Sequence, residues 1–102
     1  MYRSLMIGVR ITRDEFNHVL RRHRIAPSDA LQFLAQRRIE IESFPGEDFI
    51  LIGRKQFSGK ADFLTIRPER WAGFNLENTM QEVERDLANI GIEDREFMVF
   101  IT

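Results

Sequence analysis

Leu5, Ile7, Val9 and Ile11 alternate with Ser4, Met6, Gly8 and Arg10, and the alternation runs without a linker into a helix start at Thr12. Period-two patterning with β-branched residues reads as a strand, and as an internal one because neither Met6 nor Gly8 is strongly polar. Three signals then agree on the helix. Thr12 and Glu15 make a T-x-x-E capping box, in which each side chain satisfies the other residue's backbone N–H. Ile11 before the cap and Phe16 in the first turns make a hydrophobic staple. Asp14 and Glu15 stand where the helix dipole favours anions. Phe16, Val19, Leu20 and His23 share one face of the helix that follows. No other local signal in the chain is as specific.

Pro27 breaks this helix. A second, shorter one follows, capped by Ser28 or started by Pro27, with Ala30, Leu31 and Leu34 as its expected buried stripe. Ile39–Phe44 sets Ile39 and Ile41 against Glu40 and Glu42, the pattern of a half-exposed strand. Phe44-Pro45-Gly46-Glu47 fits a type II turn, with Pro and Gly at the positions that turn demands. Asp48–Phe57 contains Phe49-Ile50-Leu51-Ile52, apolar toward both faces, which predicts a central strand. Ser58-Gly59 predicts a turn, Ala61–Ile66 a third meander strand, and Arg67–Phe74 an irregular connector. Asn75 caps a last helix, Leu76–Ile90, with Leu76, Met80, Val83, Leu87 and Ile90 in a narrow seam. Gly91 is its left-handed terminator, and Ile92 contacts Leu87 as a Schellman motif requires. Arg95–Ile101 completes the set as a strand.

The predicted order is β-α-α-β-β-β-α-β. Without the short second helix and the third meander strand it becomes β-α-β-β-α-β, the split βαβ arrangement with helices on one face of a mainly antiparallel sheet. The expected fold is therefore a ferredoxin-like, two-layer α+β sandwich. With 102 residues and no repeat, low-complexity tract or linker, residues 1–102 read as one domain around one core.

The chain has no cysteine, which removes disulfide frameworks, Fe–S clusters, thiol catalysis and Cys-ligated zinc. Its early apolar run, Leu5–Val9, is too short for a signal-peptide core or a membrane span, so the expected location is cytoplasmic. Net charge is −1, but residues 1–60 carry 11 Lys/Arg against 7 Asp/Glu, and residues 61–102 carry 4 against 9. Nearly all the cations are arginine, which suits bidentate contact with carboxylate or phosphate and stacking on aromatic rings.

Catalytic signals are sparse. His18 and His23 are too far apart around one helix to chelate a metal together. Asp14 and His18, four residues apart, read as a helix-face ion pair, and His23 as the rim of the core. Glu40 and Glu42, with Glu47 and Asp48 beyond the turn, read as the wet face of a strand. No HExxH helix, D-x-D-x-D-G loop or GxxxxGK[ST] loop is present, and Gly59-Lys60 lacks the context of a phosphate loop. The expectation is a non-enzymatic protein without a cofactor or metal.

Two patches remain for binding. Arg67, Arg70, Trp71 and Phe74 combine the residue types most enriched at interface hot spots, and they point to another protein as partner. Arg21, Arg22 and Arg24, with Arg37 and Arg38, form basic clusters at two helix ends. They support the alternative, a nucleic-acid-binding domain that holds phosphates, although cations complement helix C-termini whatever the function. Arg13, Asn17, Arg21 and Arg24 follow one helical face. The acidic face of the last helix (Glu77, Glu82, Glu84, Asp86) is a further candidate. The expected role is a protein-binding module, such as an adaptor, inhibitor or regulatory subunit. Arg95–Ile101 is apolar to its end and falls at a sheet edge in the ferredoxin-like order, so a homodimer through that strand or the Trp71 loop is expected.

Overall fold

The computed structural model describes residues 2–60 and 76–101. They form β1 (Tyr2–Thr12), α1 (Arg13–Arg22), a 3₁₀ turn (Pro27–Asp29), α2 (Ala30–Ala35), β2 (Glu40–Ser43), β3 (Phe49–Lys60), α3 (Leu76–Ala88) and β4 (Met98–Ile101). The strands make one four-stranded antiparallel sheet in the order β2-β3-β1-β4, so with its three helices the chain is of the α+β class. The long strands β1 and β3 are central, and β2 and β4 are the edges among the described residues. The expected strand Ala61–Ile66, the connector Arg67–Phe74 and the cap Asn75 lie outside the described residues.

The junction at Thr12 forms as its sequence dictates. The Thr12 hydroxyl accepts from the Glu15 N–H at 3.1 Å, and the Glu15 carboxylate accepts from the Thr12 N–H at 3.4 Å. Arg13 adds a tie that no local pattern announces. Its Nε donates to the Glu47 carbonyl at 2.9 Å and its backbone N–H to the Asp48 carbonyl at 3.0 Å, which fixes the β2–β3 turn against the start of α1. That turn has the predicted chemistry: Gly46 takes φ +80°, and the Glu47 N–H donates to the Phe44 carbonyl at 3.1 Å.

All three helices end in the same six-residue device. At Leu20–Ile25, Leu34–Ile39 and Leu87–Ile92 the final isoleucine N–H donates back to the leucine carbonyl at 2.9, 3.0 and 2.9 Å. The residue before each isoleucine is left-handed: Arg24 (φ 57°), Arg38 (φ 59°) and Gly91 (φ 95°). This is the Schellman arrangement, predicted at Gly91 and hidden at the other two ends because arginine stands where glycine is the usual choice. The returning Ile39 and Ile92 are buried.

The core lies between the helices and one face of the sheet. Ile7, Val9 and Ile11 of β1 meet Ile50 and Ile52 of β3, beneath Val19, Leu20, Phe33, Leu34, Val83 and Leu87. Each such side chain, fully buried, contributes about 1.5–3 kcal/mol. α2 corrects the predicted stripe. It begins at Ala30 after the 3₁₀ turn, which sets its phase so that Ala30, Phe33 and Leu34 face inward, while Leu31 is 67% exposed.

Three strand limits also differ from the sequence reading. β1 starts at Tyr2, which gives the end of β3 a pairing partner. Ser58 and Gly59 are therefore in the ladder, opposite Ser4 and Arg3, and are not a turn. Pairing outweighs turn propensity there. The register steps at Leu5↔Phe57 and Met6↔Lys55, leaving Gln56 as the extra residue of a β-bulge. β4 is shorter than predicted, Met98–Ile101 rather than Arg95–Ile101, and it pairs with Leu5–Gly8 of β1.

Gly8 faces Gly53 across the central pair. A Cβ on Gly8 would land inside contact distance of the Ile52 carbonyl, and one on Gly53 would do the same at the Ile7 carbonyl. The two backbones approach so closely that both positions require glycine.

Candidate interaction surface

The five arginines of the two basic clusters do not converge. Arg21 and Arg22 line a groove of about 430 Å³ between α1 and the segment after α3. Arg37 belongs to a different recess, beside His23 and Phe33, and Arg38 to a third, beside Glu40, Arg54 and Lys55. Arg37 is also engaged. Its guanidinium lies 3.9 Å from the Phe33 ring centroid and donates to the Phe33 carbonyl at 2.9 Å, where it caps the end of α2. Arg21, Arg22, Arg24 and Arg38 form no side-chain ion pair among the described residues.

The acidic face of α3 is partly taken up inside the molecule. Arg54, on the helix side of β3 with a side chain 15% exposed, pairs with Glu82 at 3.1 Å and Asp86 at 2.5 Å. Its Nε donates to the Arg38 carbonyl at 3.2 Å. One guanidinium thus joins β3, α3 and the left-handed end of α2. A single arginine closing an apolar run, with two acids one turn apart on a later helix, was the available signal. It was missed because the acids read as a free outer face.

On the opposite face of the sheet, Glu40 and Glu42 are not merely solvated. Lys55 Nζ pairs with Glu42 at 2.7 Å, and the Lys55 N–H donates to Glu40 at 3.2 Å. Glu42 sits opposite Leu51 and Glu40 opposite Gly53, so the Lys55–Glu42 pair spans the place where Gly53 has no side chain. Arg10 completes this face, 5.1 Å from the Phe49 ring centroid.

The β4 side of the molecule is different in kind. Met98 is 46% exposed and Val99 43%, on opposite faces of one strand, and β4 pairs only with β1 among the described residues. Beside the approach to β4 lies the groove of about 430 Å³, with an apolar floor of Ile11, Val19 and Ile92. Its rim carries Asp14, His18, Arg22 and Glu93, and the Glu15–Arg95 ion pair ties α1 to the segment leading into β4. Asp14 and His18 both line the groove, but the predicted ion pair between them does not form; both are exposed. His23 has a structural task. Its Nε2 donates to the Ile90 carbonyl at 3.1 Å and its ring packs 5.3 Å from that of Phe33, which ties the end of α1 to the ends of α2 and α3.

An apolar strip rimmed by charge has the anatomy of a protein interface: a desolvating centre and a polar border. No cluster of three metal-ligating side chains occurs among the described residues, and no helix among them is long and apolar enough to cross a membrane. Arg67, Arg70, Trp71 and Phe74 lie outside the described residues. No protein-family model, curated protein or solved structure matches the chain.

Proposed function

We propose that this chain is a non-enzymatic protein-binding module, an adaptor, inhibitor or regulatory subunit acting in the cytoplasm, and that its β4 side is the binding surface. The outer edge of β4 carries the proposal: a strand edge with no partner among the described residues, and with Met98 and Val99 exposed on its two faces. Backbone donors and acceptors of such an edge recruit a further strand, and exposed apolar side chains favour covering it. We take the fold as the ferredoxin-like form of the α+β class, which the position of β4 beside β1 supports. Arg67, Arg70, Trp71 and Phe74 form a second patch in this proposal, on their residue types alone. The rival, nucleic-acid binding through Arg21, Arg22, Arg24, Arg37 and Arg38, is favoured by the guanidinium groups of Arg21, Arg22 and Arg24, which form no ion pair among the described residues. The scatter of Arg21 and Arg22, Arg37 and Arg38 over three separate recesses weighs against it.

Capture from a lysate of the source cell, with and without nuclease, separates the two. The β4 proposal expects a retained protein that resists nuclease and falls about tenfold or more with Val99→Lys, the loss for a central contact worth about 1.4 kcal/mol. The thermal midpoint should be unchanged. Capture that is abolished by nuclease and by Arg22→Ala with Arg38→Ala, yet indifferent to Val99→Lys, would establish the rival instead.

A further inference from the structure

We infer that the partner of the β4 edge is a second copy of this chain, paired antiparallel with Val99 opposite Val99 of the partner copy. This rests on the β4 side being the binding surface and specifies what covers it.

Two features narrow the occupant. The first is charge. Met98, Val99 and Phe100 give an incoming strand nothing to pair a charge with, so a charged strand would lose hydration there without compensation. The other edge of the described sheet, β2, carries Glu40 and Glu42 and would place carboxylates beside Met98 and Phe100. Head-to-tail stacking of β4 on β2, the route to open filaments, is thereby disfavoured, while β4 on β4 brings no charge to the seam and closes as a two-fold dimer.

The second feature is parity. Met98 and Phe100 lie opposite Gly8 and Met6, and Val99 lies opposite Ile7, on the core side. A two-fold axis normal to the sheet keeps the helices of both copies on one side, and it makes residues that face each other share a face. The pairing must then be centred on a residue, either Val99 or Phe100. Centring on Phe100 leaves Met98 with no residue of β4 opposite it. Centring on Val99 sets Met98 opposite Phe100 on both sides of the axis and Val99 against itself, so both exposed side chains gain apolar neighbours. The strand is its own complement only about Val99. Four residues of ladder make a small interface, so the dimer belongs to the weak class, with Kd on the order of 1–100 µM.

The absence of cysteine from the chain makes the test direct. Val99→Cys creates a single thiol whose partner lies within disulfide reach, since paired Cα atoms stand about 4.5–5.5 Å apart. The full chain at about 100 µM should sediment well above its 12.1 kDa monomer mass and approach twice that value as concentration rises, and Val99→Cys under mild oxidation should become a covalent dimer. Met98→Cys alone should remain uncrosslinked, whereas Met98→Cys with Phe100→Cys should crosslink. Crosslinking by Phe100→Cys alone would overturn the Val99-centred register. A dimer that none of these thiols captures would overturn β4 as its seam. A monomer at 100 µM with no crosslink would overturn the homodimer; if Val99→Lys still abolished capture of another protein, the β4 side would stand as a surface for that protein.

Discussion

β2 and β4 are both four-residue strands at the edges of one sheet, and each follows a helix closed by the same backward hydrogen bond to a leucine carbonyl. Beyond that they diverge. β2 sets Ile41 against the core, while Glu40 and Glu42 are held on the other face by Lys55. β4 has no charged residue, and Met98 and Val99 stand open on both faces. The glutamates make strand addition at β2 expensive, which is how natural sheets protect an edge. β4 lacks such charges, and the proposed binding surface rests on that difference.

The largest expected effect strikes what both edges share. Gly53→Ala forces a Cβ into the Ile7 carbonyl, which is backbone and cannot rotate away. A loss of about 3 kcal/mol should appear in urea denaturation, at the upper end of overpacking costs. Amide exchange should then accelerate in β2 and β4 alike; acceleration in one alone would show that the edges do not depend on a common crossing.

A smaller effect should divide the edges. Arg54→Met removes the link between β3, α3 and the Arg38 carbonyl and leaves Asp86, 18% exposed, with Arg85 at 4.0 Å as its cation among the described residues. The cost should be about 2 kcal/mol, between exposed and buried pairs. Amide exchange should quicken around Ile39 and β2 and stay unchanged in β4.

The helix ends sharpen the contrast further. The left-handed residue that closes the helix before β4 is Gly91, and the one that closes the helix before β2 is Arg38. Gly91→Ala should destabilise by about 1 kcal/mol, because L side chains resist that conformation. Arg38→Gly should stabilise, though by less, since glycine also enlarges the entropy of the unfolded chain. Thermal melts of the two variants should move in opposite directions.

The smallest change in stability should come with the clearest change in behaviour. Glu40→Val with Glu42→Val gives β2 an apolar outer face, each change costing about 0.5 kcal/mol or less. Combined with Val99→Lys the pair should restore association through the wrong edge, visible by sedimentation. A monomeric triple variant would show that charge is not what separates the edges.

Most of the frame was legible because it rests on local chemistry. The capping box at Thr12, the Pro45-Gly46 turn and the glycine end at Gly91 each need only a few adjacent residues. The errors arose where a distant partner decides. Ser58-Gly59 reads as a turn until Arg3 and Ser4 are seen to pair with it. Glu82 and Asp86 read as a free acidic face until Arg54 is placed beneath them. The ends at Arg24 and Arg38 were hidden by residue type, although the leucine and isoleucine five positions apart were in view. As for the surface, the β4 edge followed from its uninterrupted apolar run, whereas the groove at its flank required α1 and the segment after α3 to be brought together.

The pairing of β1 with both β3 and β4 also constrains the order in which the molecule can be assembled. Of the described strands β1 is synthesised first and β4 last, and Leu5 finds its second neighbour, Ile101, only when nearly all of the described chain exists. Contacts so distant in sequence form late, because a long loop must close before they are rewarded. On the ribosome, β1 can therefore dock on β3 while its other side stays bare. For that interval a nascent chain displays the edge of β1 that β4 later covers.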